Sequence, residues 1–207
     1  MVATAAISAV PPAWIDQLTP GGMILTDLRG ELASSLIALR KTAPDTVSGR
    51  FLSVPGHFMW LRAEIDNPLR DGGSYLMEIN IGNPRHTATA VGPDILDDPN
   101  LRFLVQRRAP RSQSIYRIDC HGRDVVEVNA GQSRAHLDTA PLGDGLHEVT
   151  EIGPDCAWKC VDSTIDLWNH LGRPVRERFG LTATADGTHI LWLDQPGTNH
   201  AWLLPNP

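Results

Sequence analysis

The run His-Glu-Val-Thr-Glu at residues 147–151 is the closest approach to a metal-binding motif in this chain. A zinc-protease helix carries two histidines four residues apart, with a glutamate directly after the first. Here Glu151 takes the place of the second histidine, and Val149 and Ile152 favour a strand. We therefore expect a strand over residues 147–152 and no metal site.

The densest basic run comprises Arg107, Arg108 and Arg111, and two interpretations of it stay open. Cations at the carboxyl end of a helix face its negative dipole pole, so the run can be a solvated helix end. A guanidinium also binds a carboxylate through two parallel hydrogen bonds. Arg107 and Arg108 are therefore candidate anchors for an acidic precursor peptide.

The cysteines, Cys120, Cys156 and Cys160, are too few for a disulfide-built scaffold. We interpret them as small, partly buried thiols of a protein in the reducing cytoplasm. Residues 1–10 lack the basic region of a signal peptide, which agrees with a cytoplasmic location.

The bulk composition excludes several function classes. The 207 residues are 42% hydrophobic and 20% charged, which is typical of a globular protein with a sizeable core. The formal net charge of -6 does not suit a nucleic-acid binder, which needs a basic surface to displace counterions. No apolar run is long enough to cross a bilayer, so we expect no membrane partner.

The first third of the chain alternates helix and strand signals. Prolines 11 and 12 suit the first turn of a helix, with Trp14, Ile15 and Leu18 on one face. A Pro-Gly-Gly turn ends this helix, and strands are predicted over 23–26, 35–39 and 51–54, the last resuming over 58–61. This order is typical of a doubly wound sheet that finishes in antiparallel edge strands.

The middle of the chain is richer in Gly, Pro and Asn. We predict a linker over residues 66–93, with one short strand over 75–79. A helix then begins at Asp98 and Pro99 and ends before Pro110.

The last third predicts an α+β unit. A hairpin is expected over 115–128, where turn chemistry explains the polar residues of its loop. Trp158, Ile165 and Trp168 belong to an apolar stripe at helical spacing, so we place these tryptophans in the core. An Asp-Gly turn joins strands predicted over 181–184 and 189–193.

Several runs of the first third resemble protein-L-isoaspartate O-methyltransferases. In that family a strand ending in Thr-Ala-Ala precedes a helix of the form Pro-x-x-Leu-x-x-Gln-Leu and a Gly-Gly turn. This chain has Thr-Ala-Ala at 4–6, Pro-Pro-Ala-Trp-Ile-Asp-Gln-Leu at 11–18 and Gly-Gly at 21–22. Gly-Arg-Phe-Leu at 49–52 and Phe-Met-Trp-Leu at 58–61 are similar to the closing strands of the family, with Trp60 in place of a proline.

The remaining two thirds resemble an extra C-terminal domain found in one branch of this family. That branch sits beside ATP-grasp ligases and matures ribosomally made peptides. The runs that carry this resemblance are Phe-Leu-Val-Gln at 103–106, Ser-Gln-Ser-Ile-Tyr at 112–116 and Arg-Glu-Arg-Phe-Gly-Leu at 176–181.

The resemblance implies methyl transfer from S-adenosylmethionine to an aspartyl or isoaspartyl carboxylate of a peptide or protein substrate, with an ATP-grasp ligase system as a possible partner. It also implies that Thr4, Ala5 and Ala6 face the acceptor at the carboxyl end of their strand, where ligands bind in open α/β sheets. A carboxylate is already ionised at neutral pH and needs no general base. Catalysis is then mainly alignment, which leaves no conspicuous catalytic motif.

The cofactor signature of nucleotide-type folds is missing from the sequence. Such folds carry a Gly-rich turn after the first strand and an acidic residue after the second. The nearest pattern is Gly-Asp-Gly at 143–145, which a predicted strand follows, so we interpret it as an ordinary turn. We therefore expect Met1 to begin in mid-fold, and this fragment to lack the cofactor-binding half and to be inactive alone.

Two alternatives to this reading stay open. The chain can be a non-catalytic precursor-peptide-binding protein derived from such an enzyme, or the resemblance can be a coincidence in an unrelated α+β protein.

The predicted fold class is α/β plus α+β. Residues 1–65 are predicted to be the C-terminal part of a doubly wound, Rossmann-like methyltransferase domain. Residues 66–93 form the linker, and residues 94–207 are predicted to form the α+β accessory domain.

Overall fold

The structure is a computed structural model that describes residues 1–61, 83–109, 112–118, 124–130, 133–154 and 156–205. The chain folds into two compact units, one formed by Met1–Asn67 with Pro174–Pro207 and the other by Pro68–Arg173. This division differs from the predicted domains 1–65 and 94–207, because the last three strands pair into the first sheet. The predicted linker and its strand over 75–79 lie mostly outside the described residues.

The first unit is built on a seven-stranded sheet in the order β1-β2-β3-β4-β10-β11-β12. Its strands are β1 Val2–Ile7, β2 Met23–Arg29, β3 Ser34–Ala43, β4 Thr46–Phe51, β10 Phe179–Thr184, β11 His189–Leu193 and β12 Ala201–Leu203. The first two strands are parallel and every other pair is antiparallel.

Helix α1, Pro12–Gln17, connects the two parallel strands. Its buried residue is Ile15, and the turn after it contains Gly21 at φ 72, a left-handed conformation that favours glycine. The ammonium group of Lys41 donates to the carbonyl oxygens of Ile15 and Leu18 at 2.8 and 2.9 Å. A cation from β3 therefore satisfies the carboxyl end of the helix.

Glycines allow the close approach of β3, β4 and β10. A Cβ atom at Gly49 would overlap the carbonyl oxygen of Ala38, and one at Gly180 would overlap the Trp192 ring. This contact joins the last strands to the first four, which no local pattern of the sequence indicates.

The second unit is built on a five-stranded antiparallel sheet in the order β5-β9-β8-β7-β6. Its strands are β5 Arg85–Thr89, β6 Ser112–Ile118, β7 Asp124–Ala130, β8 Ser133–Pro141 and β9 His147–Ile152. Short 3-10 helices lie at Pro93–Asp97 and, in the first unit, at Arg176–Arg178.

Two helices belong to this second unit. Helix α2, Pro99–Arg108, begins where the Asp98 carboxylate accepts the N–H groups of Asn100 and Leu101, as predicted. Helix α3, Ala157–His170, packs against β7, β8, β9 and α2, with Trp158 and Trp168 buried, so their predicted place in the core is confirmed.

Most of the predicted helices and strands are present in the structure, but their first and last residues differ from the predicted ones. The strand predicted over 51–54 lies earlier in the chain, as β4, and ends at Phe51. It begins early because the chain turns at residues 44–45 and β4 pairs with β3 directly after the turn. The resumed strand over 58–61 is reduced to one parallel bridge between Ala6 and Trp60. Strands β5, β8 and β12 were not predicted. The fold is mixed α/β, with antiparallel pairs in the majority.

Candidate functional site

The residues predicted to face an acceptor lie inside β1 rather than at its end. Thr4 is exposed, Ala5 is half-buried and Ala6 is buried. Because β1 continues through Ile7, its carboxyl end lies three residues beyond Thr4. The register pairs Ala6 with Asp27 and Ile7 with Leu28, so the carboxyl ends of both parallel strands meet at one edge of the sheet.

A fully buried carboxylate, that of Asp27, lies at this edge. Its Oδ1 accepts the hydroxyl of Ser34 at 2.7 Å, and its Oδ2 accepts the N–H of Phe58 at 3.2 Å. Hydrogen bonds from two donors compensate for the removal of the charge from water. The carboxylate thereby holds the start of β3 and a later loop on the end of β2.

The loop over residues 56–60 is fitted to this carboxylate. The Ser34 hydroxyl oxygen accepts the N–H groups of Gly56 and His57 at 3.2 and 3.3 Å. A Cβ atom at Gly56 would lie 2.6 Å from the Asp27 carboxyl carbon, so only glycine fits there. His57 has a φ of 51, which is uncommon for a residue with a side chain. These contacts fix the loop across the end of β1.

Arg29 lies one position beyond the last register pair of β1 and β2. Its Nη1 donates to the carbonyl oxygen of Phe58 at 2.8 Å, and its guanidinium carbon lies 5.4 Å from the centroid of the Trp60 ring. Trp60 is itself positioned because the neighbouring Met59 and Leu61 exchange backbone hydrogen bonds of 2.8 Å with Ala6. Within the described part of the chain, Arg29 forms no ion pair with a carboxylate.

We call this arrangement the carboxyl-end site, comprising Ala6, Asp27, Arg29, Ser34 and the loop over residues 56–60. The buried carboxylate is internally satisfied, whereas the half-buried guanidinium keeps N–H groups beyond the one used for Phe58. The site can therefore hold an anionic group. The Ser34 hydroxyl donates to Asp27 and also accepts two backbone N–H groups, so this pair of side chains holds the loop in place.

The connection between β1 and α1 does not fit a nucleotide-type cofactor. Residues 8–11 contain no glycine, and Pro11 and Pro12 have no N–H group. The Val10 N–H donates to Nε2 of His189 at 3.1 Å, and the Trp14 N–H donates to Pro11 at 3.0 Å. In such folds a Gly-rich turn offers free amides to the phosphate groups of the cofactor. This connection has no glycine, and the amides of Val10 and Trp14 are occupied.

The arginine run of α2 is not a fully solvated helix end, which corrects the first of our two interpretations. Arg107 is only 6% exposed, and its guanidinium carbon lies 6.0 Å from the Phe103 ring centroid. The Nε of Arg108 donates to the hydroxyl of Thr164 at 3.1 Å. The packing of α2 on α3 covers this face of the helix. Arg111 lies outside the described residues, and a peptide-binding role of Arg107 and Arg108 stays a prediction.

The run at 147–151 is a strand, as expected, and its polar groups are used internally. His147 Nδ1 donates to the Asp138 carbonyl oxygen at 2.9 Å. The Glu151 carboxylate accepts the N–H of Trp158 at 2.7 Å, at the start of α3. Across the described residues, no group of three or more His, Cys, Asp or Glu side chains is placed to hold a metal ion.

Sequence reasoning missed a second polar cluster, which lies on β7 and β8. Glu127 is only 1% exposed, and its Oε2 accepts Nε2–H of His136 at 2.8 Å. Its Oε1 accepts the amide of Asn129 at 2.9 Å, with Nε of Arg134 at 3.8 Å. Glu127 and His136 are register partners, so an alternation analysis of both strands would have brought them together.

Cys160, in α3, does not provide a reactive thiolate. Burial raises the pKa of the Cys160 thiol, although the charge of Arg108 and a hydrogen bond with Thr164 oppose the shift. A raised pKa favours the thiol, which is a poor nucleophile. Cys156 is exposed at the N-cap position of α3. Cys120 lies outside the described residues.

Within the described ranges, no helix combines the length and the apolar character needed to cross a membrane. No family model, no curated protein and no solved structure matches this chain.

Proposed function

We propose that this chain carries the acceptor side of an S-adenosylmethionine-dependent O-methyltransferase that acts on aspartyl or isoaspartyl carboxylates. The single observation that carries the proposal is the parallel pairing of β1 with β2 through α1, followed by antiparallel β3 and β4. This is the order expected for the end of a doubly wound sheet, and the Thr-Ala-Ala and Gly-Gly runs occupy the corresponding strand and turn.

The chemistry of the carboxyl-end site is compatible with this role. A carboxylate acceptor is ionised at neutral pH, so the site need not supply a general base. What it must supply is a fixed position for the acceptor, and positioning is a large part of catalysis when the nucleophile is already activated. The hydrogen bonds of Asp27 and Ser34 to the loop over residues 56–60 give this edge of the sheet a defined shape.

S-adenosylmethionine is the methyl donor that the proposal requires, but the β1–α1 connection does not fit it. Residues 8–11 contain no glycine, Pro11 and Pro12 have no N–H group, and the amides of Val10 and Trp14 are occupied. We therefore expect a calorimetric titration of the purified chain with S-adenosylmethionine to give no saturable heat. Saturable micromolar binding would mean that the chain holds a cofactor site, and would contradict the assignment of this chain to the acceptor side alone.

The acceptor role is tested by peptide binding. A fluorescently labelled peptide with one isoaspartyl residue is titrated with the chain, and the same peptide with alanine at that position serves as the control. We expect the isoaspartyl peptide to bind at least about tenfold more tightly, since a charged hydrogen-bonding pair contributes about 1.5 to 3 kcal/mol. Equal affinity for the two peptides would refute the proposed acceptor role.

The alternative candidate is a non-catalytic protein that binds a precursor peptide. The β1–α1 connection favours it, because a connection without glycine and with the amides of Val10 and Trp14 occupied does not suit a cofactor. In either case the proposed partner is a peptide, with an ATP-grasp ligase system nearby and a cytoplasmic location. To decide between the two, the chain and a peptide are incubated with a preparation that supplies the cofactor-binding half. Formation of a methyl ester on the peptide would support the methyltransferase.

A further inference from the structure

We propose that Arg29 is the residue that recognises the acceptor, by binding the carboxylate of an acidic peptide residue at the carboxyl-end site. This inference rests on the proposed function, and it names a residue that neither the sequence motifs nor the resemblance identified.

The position of Arg29 is the first argument. It ends β2, one position beyond the pair formed by Ile7 and Leu28, so it lies where the two parallel strands both end. In open α/β sheets ligands bind beyond the carboxyl ends of the strands. Thr4, the earlier candidate, is three residues short of this edge.

The guanidinium of Arg29 is also held in place before any ligand binds. One N–H group is bound by the Phe58 carbonyl oxygen at 2.8 Å, and the group lies over the Trp60 ring at 5.4 Å. A stacked guanidinium loses less rotational freedom on binding than a free arginine does. Its remaining N–H groups form a planar fork that matches a carboxylate.

The charges at the carboxyl-end site also favour an anionic ligand. The carboxylate on the same face of β2, that of Asp27, is fully buried and already accepts Ser34 and Phe58. Among the described residues, no carboxylate lies within ion-pair distance of Arg29. The site is therefore charge-complementary to an anion.

The surroundings favour a peptide over a small anion. The adjacent Met59 is 85% exposed, so its side chain is accessible to a bound peptide. His57, in the same loop, is exposed as well. An acidic residue within a peptide can place its carboxylate on Arg29 and its neighbouring side chains along this loop.

The test compares a labelled isoaspartyl peptide with its isoasparaginyl counterpart, which has the same shape but no charge. We expect the wild-type chain to prefer the charged peptide by about tenfold or more. Arg29→Gln should abolish this preference and leave the affinity for the neutral peptide unchanged. Arg40→Gln, which removes an exposed arginine from β3 of the same sheet, should keep the preference.

The possible outcomes separate the inference from the proposed function. A preference that survives in Arg29→Gln would overturn the inference alone. A wild-type chain that binds neither peptide would overturn the proposed function together with it. If Arg29→Gln fails to fold, as judged by its thermal melt, Arg29→Lys decides. It keeps the charge but loses the fork, so it should weaken the preference, and an undiminished preference would overturn the assignment.

A competition experiment distinguishes a peptide carboxylate from a phosphate as the ligand. Sodium phosphate and sodium chloride are added to the complex at equal ionic strength. A guanidinium fork can bind either anion, so we expect phosphate to displace the peptide more than chloride does, but only at concentrations far above the dissociation constant of the peptide. Displacement by phosphate at or below that dissociation constant would overturn the assignment to a carboxylate.

Discussion

The hydroxyl of Ser34 and the carboxylate of Asp27, 2.7 Å apart, join the first residue of β3 to the carboxyl end of β2 and to the loop over residues 56–60. Two side chains thereby shape the whole edge of the sheet that we propose as the acceptor site. We expect the loss of either side chain to weaken both the fold and the proposed site, because each provides hydrogen bonds to the loop that carries Trp60.

We predict that Asp27→Asn destabilises the chain. The asparagine amide has one acceptor oxygen, so its NH₂ group must face either the N–H of Phe58 or the hydroxyl of Ser34. Neither partner can accept it, because the Phe58 N–H is itself a donor and the Ser34 hydroxyl already accepts two N–H groups. The unsatisfied donor costs about 1 to 3 kcal/mol of unfolding free energy. Urea denaturation measures the loss, and Ser53→Ala, at an exposed position of the same segment, should change little.

His189→Ala should also destabilise the first unit. The Nδ1 of His189 donates to the Gly187 carbonyl oxygen at 2.9 Å, and its Nε2 accepts the Val10 N–H at 3.1 Å. Alanine would leave the buried Val10 N–H without an acceptor, at a cost of about 1 to 3 kcal/mol. His200→Ala removes an exposed histidine from the same unit and serves as the control. Equal denaturation midpoints for the two variants would contradict the role given to His189.

The Glu151 carboxylate should act as a cap of α3 supplied by a neighbouring strand. It accepts the N–H of Trp158, whereas Cys156, at the N-cap position, provides no side-chain hydrogen bond. We expect Glu151→Ala to lower the unfolding free energy by about 1 to 2 kcal/mol. Glu151→Gln keeps an acceptor oxygen and removes only the charge near the positive helix end. The unfolding free energy should therefore fall by less, about 0.3 to 1 kcal/mol.

Asp162 should make stability depend on pH in an unusual direction for a carboxylate. Burial raises its pKa, although a hydrogen bond from the Thr89 hydroxyl opposes the shift. The folded state then binds the proton at a higher pH than the unfolded state does. The contribution of Asp162 to stability is therefore lost as pH rises through the raised pKa and regained on acidification toward the unfolded value.

It follows that Asp162→Asn should be slightly more stable than the wild type at neutral pH, since the amide oxygen can still accept the Thr89 hydroxyl. We expect a gain below about 1 kcal/mol, because water screens a group that is only half-buried. Thermal melts across the acidic range should show the gain disappearing as the pH falls. A gain that is constant with pH, or equal to that of Asp166→Asn on the exposed side of α3, would contradict this account.

The sequence predicted local elements well and their long-range assembly poorly. The stripe of Trp158, Ile165 and Trp168 and the cap at Asp98 are local signals, and both helices form as expected. The pairing of β4 with β10 joins residues far apart in the sequence, and its determinant is a close approach at Gly49 and Gly180. No periodicity within either strand indicates that contact.

The candidate site illustrates the same limit of local patterns. The Thr-Ala-Ala run lies in β1, but β1 continues past it, so later residues form the carboxyl end of the strand. In the sequence, Asp27 and Arg29 look like ordinary polar residues at the end of a strand. In the structure, the loop over residues 56–60 returns to Ala6, where Asp27 is buried and Arg29 lies over the Trp60 ring.

The most direct test of the central claim maps a bound isoaspartyl peptide onto the isotope-labelled chain by NMR chemical-shift changes. We predict that the largest changes occur at the amides of Ala6, Arg29 and Phe58 and at the indole N–H of Trp60. Changes confined to the second unit, around Glu127 and His136 or the arginines of α2, would contradict an acceptor site at the carboxyl ends of β1 and β2.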